Sequence, residues 1–60
     1  MVKVYITFKC GHVIHIDTKE SVLEAINVAE FHQKHTNTPD CHFEVWAKGT
    51  MIHTTKQIAS

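Results

Sequence analysis

Cys10 and His12 flank Gly11 in the stretch FKCGHVI, and His32, His35 and Cys41 follow in FHQKH and DCHF. Thiolate sulfur and imidazole nitrogen are the donors that structural zinc sites draw on most. A thiol beside an imidazole is also the starting point of a nucleophilic dyad. Neither chemistry follows from residue type alone. It depends on whether the intervening elements carry residues 10–12 back to residues 32–41.

The first of those elements is VKVYITF, residues 2–8, which alternates. Val2, Val4, Ile6 and Phe8 fall on one side and Lys3, Tyr5 and Thr7 on the other, the period of a half-buried strand. HVIHI, residues 12–16, is a second β-branched run. A three-residue loop of Lys9, Cys10 and Gly11, with Gly11 in the left-handed position, places Phe8 opposite His12, Ile6 opposite Ile14 and Val4 opposite Ile16. That register gathers the large apolar residues on one face, whereas a two-residue loop would expose both isoleucines.

Residues 17–37, DTKESVLEAINVAEFHQKHTN, carry the helical pattern. Thr18 and Ser21 are the available N-caps, and Ser21 with Glu24 matches a capping box. Val22, Ala25, Ile26 and Ala29 make the apolar stripe, with Leu23 and Val28 on its flanks. Asn37 suits the helix stop, and Pro39 forbids continuation. CHFEVWA, residues 41–47, alternates again, Lys48-Gly49 marks a turn, and MIHTT, residues 51–55, is a short final strand.

The element order is therefore ββαββ in a single α+β domain spanning residues 1–60. A right-handed crossover through the helix lays the third strand beside the first. The expected sheet is antiparallel, four-stranded and ordered 2-1-3-4, with one helix packed on one face. The opposite face would hold Tyr5, Val13, His15 and Trp46, with Met51 at its margin. Aromatic anchors of this kind dominate contact energies when they sit centrally in an interface, so these four are the candidate interface residues.

The same geometry bears on the Cys and His residues. The second strand leads away from the hairpin tip for roughly 20 Å. The helix returns for roughly 24 Å, so its last turn arrives beside the tip. Cys10, His12, His32, His35 and Cys41 then share one end of the domain and form the candidate metal set, with zinc the implied ion. A hairpin and a helix end supply the ligands of a zinc finger too, but there the spacing is Cys-x2-4-Cys and His-x3-5-His. Here it is Cys-x-His and His-x2-His. The blander expectation is that His32 and His35 complement the negative end of the helix dipole. Cys41 then fills a small apolar site.

Composition narrows the function. Sixty residues with six basic and six acidic side chains carry no net charge, which disfavours a nucleic-acid partner recognised through its phosphates. No run is long enough to span a membrane, and the N-terminus lacks an apolar leader, so the expected location is cytoplasmic. The two glycines make no phosphate-binding loop. A chain this short buries only about 60% of the surface its unfolded form exposes, and such domains lean on metals, disulfides or association.

The expected function is that of a small non-enzymatic binding protein that acts by occupying a protein partner, as a homodimer or higher oligomer. By analogy of size and type it resembles an accessory or inhibitor protein of phage or bacteria. The rivals are a zinc-stabilised Cys/His module, a protein sequestering a small ligand, and a small Cys/His-dependent enzyme.

Overall fold

The computed structural model describes residues 1–36 and 40–56. Strand β1 spans Val2–Phe8, β2 Val13–Lys19, helix α1 Val22–His35, β3 Cys41–Ala47 and β4 Thr50–Thr54. The sheet is antiparallel and ordered β2-β1-β3-β4, and the helix packs on one face of it.

The period-two pattern of β1 decides what lies beneath the helix. Val2, Val4, Ile6 and Phe8 stand opposite Ala47, Val45, Phe43 and Cys41 of β3, and directly opposed residues share a face. Val4 and Val45 are completely buried, as are Ala25 and Ala29 of the helix. Val2 and Phe43 complete the buried cluster, with Ile6, Ile26, Val28 and Ala47 packed around it. Two alanines at the contact let the helix backbone approach the valines closely. The cost is a thin core. Val22, expected within the stripe, is 45% exposed, and Leu23 is 68% exposed.

Both hairpin turns place a glycine at positive φ. Gly11 has φ +95°, its N–H donates to Phe8 O at 2.8 Å, and Phe8 N–H donates to His12 O at 2.8 Å. This is the three-residue loop expected from the sequence. At the β3–β4 turn Lys48 and Gly49 both have positive φ, 53° and 76°, the signature of a two-residue type I′ turn.

Several local expectations are corrected. Strand β2 begins at Val13 rather than His12 and continues through Asp17, Thr18 and Lys19, which the sequence pattern had assigned to the helix start. It carries a bulge: Tyr5 faces His15, but Val4 faces Asp17 instead of Ile16. Ser21 is the N-cap, yet its side chain makes no capping hydrogen bond, so the capping box with Glu24 does not form. The helix ends at His35 with Thr36 as C-cap, while Asn37 and Pro39 lie outside the described residues. Strand β4 starts one residue early, at Thr50.

A second bulge lies in β4, where Val45 faces His53 and Trp46 faces Met51. Each bulge inserts one residue and so reverses which face the following side chains occupy. Without it, His53 would share Met51's face, as simple alternation predicts. Instead it turns to the helix, where its Nε2 lies 2.8 Å from Glu30 Oε1. Thr55 follows the same face: its hydroxyl donates to Gln33 Oε1 at 2.8 Å and accepts from Phe43 N–H at 2.8 Å.

The β3–β4 turn offers a clean test. Lys48→Asn should stabilise the protein by a few tenths of a kcal/mol to about 1 kcal/mol, because Asn tolerates positive φ better than Lys. Gly49→Ala should destabilise it by about 1 kcal/mol or more through backbone strain, since a Cβ there meets no neighbour within 4 Å. Urea denaturation of both variants against wild type reads the two opposite signs.

Candidate functional site

The helix-free face of the sheet is built from three rows of opposed residues. Val13, Thr7 and His42 form one; His15, Tyr5, Glu44 and Thr54 the next; Thr18, Lys3, Trp46 and Met51 the third. All four expected interface residues therefore share one face. Val13 is 50% exposed and Met51 43%, His15 is exposed, and Tyr5 and Trp46 are half-buried. The Tyr5 and His15 rings lie 5.4 Å apart between centroids. His15 Nε2 sits 2.8 Å from Thr18 Oγ1. Residues three apart on a regular strand point to opposite faces, so this contact exists because of the β2 bulge.

At the centre of the face lies a polar cluster that spacing alone had left without a role. His42, Glu44 and Trp46 occupy alternate positions of β3, and Glu44 uses both carboxylate oxygens. Its Oε2 is 2.8 Å from His42 Nε2, and its Oε1 accepts the Trp46 indole N–H at 3.1 Å. The His42 and Glu44 side chains keep only 20% and 18% of their surface exposed. Burial pushes the Glu44 carboxyl up, but the hydrogen bonds from His42 and Trp46 and the charge of His42 outweigh it, so its pKa falls below the ordinary value. Thr7 Oγ1, opposite His42, is buried without a hydrogen bond of standard geometry and adds only a lesser pull on that carboxylate.

The cluster's first consequence is mechanical. The indole of Trp46 is held by a charge-assisted hydrogen bond, so its plane is set before anything docks on it. Its second consequence concerns catalysis. Thr7, His42 and Glu44 have the residue types of a nucleophile, a base and an orienting acid. Yet the Thr7 hydroxyl is buried and is not hydrogen-bonded to His42. A hydroxyl closed to solvent and unengaged by the base is poorly placed to attack a substrate.

The candidate metal set is distributed differently from the convergence the sequence suggested. The described residues include no group of three or more His, Cys, Asp or Glu side chains positioned to hold a metal ion. Cys10 is exposed at the hairpin tip, where it lines an open depression with Phe8, Lys9 and Asp40. Cys41 is buried at the start of β3, opposite Phe8, and both thiols are free. His12 lies beside Phe8 with ring centroids 6.3 Å apart. His32 stacks on Phe43 at 5.5 Å, and His35 packs on Phe31 at 4.4 Å. The backbone does return to the tip, since Lys9 N–H donates to Asp40 O at 2.7 Å. The side chains spend that proximity on aromatic contacts.

None of the six histidines is buried, and two of them, His42 and His53, lie against carboxylates. No helix among the described residues is long and apolar enough to cross a membrane.

Compared with known proteins, the chain matches no family model, no curated protein and no solved structure.

Glu44 supplies a pH test of the cluster. A carboxyl whose pKa is lower folded than unfolded contributes stability that is present above the unfolded value, near about 4.3, and is lost as pH falls through the folded value. Unfolding free energy should therefore decline below about pH 4, and Glu44→Gln should flatten part of that decline. Urea titrations at a series of pH values, followed by Trp46 emission, measure both effects.

Proposed function

We propose that the protein is a non-enzymatic binding module that acts by occupying a protein partner, and that it works as a homo-oligomer. The contact surface in this reading is the sheet face opposite the helix, centred on Trp46 with Tyr5, Val13, His15 and Met51 around it. The observation that carries it is the Trp46–Glu44 hydrogen bond within an uncovered face. A large aromatic ring fixed before binding loses little conformational freedom when it is covered, which is how anchor residues concentrate affinity.

Charge and composition support the same reading. A neutral chain has no field to gather phosphates or acidic surfaces, so shape and apolar contact are what remain to it. The thin core supports self-association. Val13, Ile14, Ile16, Leu23, Phe31, Met51 and Ile52 are all exposed, apolar groups that association can cover. Occupation of a host or cognate factor, in the manner of an accessory or inhibitor protein, requires nothing beyond such a surface.

The test uses the single tryptophan as its own reporter. A partner should form a complex of defined stoichiometry in native mass spectrometry and shift Trp46 emission on titration. Trp46→Glu and Val13→Glu, checked for retained fold by circular dichroism, should weaken that complex by about thirtyfold or more. Lys34→Glu on the exposed helix surface should leave it unchanged. A Trp46→Glu protein that keeps its fold and binds as tightly as wild type contradicts the proposal.

A further inference from the structure

Strand β2 is an edge of the sheet, and its outer side is unusually open. Val13, Ile14, His15 and Ile16 are all exposed, so neither the helix nor the opposite face covers this stretch. Native edge strands are normally guarded by lysine, proline or early distortion. Residues 11–16, GHVIHI, contain no charged residue and no proline, and the β2 bulge comes only after His15.

The hydrogen-bond pattern shows which backbone groups are unpaired with β1. Phe8 N–H donates to His12 O, so His12 directs its carbonyl inward to β1. Successive residues of a strand alternate in this respect. Ile14 therefore pairs inward with Ile6, and Val13 and His15 present their N–H and C=O groups outward. An exposed edge with donors and acceptors at residues 13 and 15 is self-complementary. A two-fold axis through Ile14 sets Val13 against the partner's His15 and His15 against the partner's Val13, each couple exchanging two backbone bonds.

We infer that two copies of this chain join by antiparallel pairing of their β2 edges, making one continuous eight-stranded sheet. Only a second copy meets this register with the same two residues from each side. Residues 11–16 carry no charge, so the stretch centred on the axis sets no like charges against each other. Ile14, 43% exposed in one chain, packs on its own counterpart beneath the helices. Glu30 and Gln33 reach toward β4 and Thr55, which puts Phe31 on the far side of the helix from Gln33. On the other face Val13 comes beside the partner's His15 and Tyr5, so the two binding faces run together.

The opposite edge fits this role less well. Strand β4 has five residues, its bulge at Ile52 falls in the middle, and its end is tied to the helix through His53 and Thr55. The inference rests on the oligomer half of the proposed function and is independent of what Trp46 contacts.

The test is sedimentation equilibrium of the full chain, with amide hydrogen exchange resolved at Val13 and His15. Wild type should sediment as a dimer, and those two amides, unpaired in a single chain, should be protected and should lose protection on dilution to monomer. His15→Pro removes an outward N–H that the single chain does not use, and Ile14→Lys places two charges on the axis. Either variant should abolish the dimer while keeping the circular dichroism of the fold. Trp46→Glu should leave the dimer intact. A wild type that stays monomeric at high concentration overturns both the edge pairing and the oligomer reading. An oligomer that persists in both variants, with residues 13 and 15 exchanging freely, overturns the edge pairing alone.

Discussion

The contact of Ala25 and Ala29 with Val4 and Val45 is the constraint on which the rest of the molecule depends. All four side chains are completely buried, and they join the helix to the two central strands. Small residues here allow close approach, but they bury little area apiece. Phe43 is the one large ring in the buried cluster, and deleting such a ring typically costs about 3–5 kcal/mol. Domains hold roughly 0.05–0.15 kcal/mol per residue in total, so a chain of this length has about 3–9 kcal/mol in all. A single aromatic ring is therefore of the same order as the whole stability. A fold so balanced gains from any further apolar burial, which is the physical ground for expecting it to associate.

The two β-bulges then decide how the surface is used. The bulge after His15 puts His15 and Thr18 on the same face, where they meet at 2.8 Å. The bulge between Val45 and Trp46 sends His53 the other way, to Glu30 of the helix. Met51, between the turn and the bulge, lies opposite Trp46. One edge is thereby fastened to the helix, and the other is left open. The helix-free face retains a row of apolar and aromatic groups around a carboxylate whose two oxygens are already engaged.

Much of this was legible in the residues. Period-two alternation identifies β1 and β3, Gly11 selects the three-residue loop, and Lys48-Gly49 marks the second turn. Together with crossover handedness, these suffice for the strand order. The bulges were not legible, because one inserted residue leaves no mark on local composition while reversing every side chain beyond it. That is why alternation pairs Val4 with Ile16 and puts His53 on the face of Met51, whereas the structure does neither. The same limit applies to the Cys and His residues. Element lengths correctly return the helix to the hairpin tip, but they say nothing of side-chain direction, and His12, His32 and His35 each lie against a phenylalanine. The cluster of His42, Glu44 and Trp46 carried a usable signal, since alternate positions of one strand always share a face. These three polar-capable groups act as one unit.

The central claim is that the face around Trp46 is presented to solvent for contact while the face around Phe43 is sealed. Radical footprinting of the isolated chain at dilution tests this directly, because Tyr5, Trp46 and Met51 are reactive side chains on one face and Phe43 is reactive on the other. The account predicts ready modification of Trp46 and Met51, intermediate modification of Tyr5 and strong protection of Phe43. Equal modification of Trp46 and Phe43, or protection of Trp46 and Met51 in the dilute single chain, would contradict it.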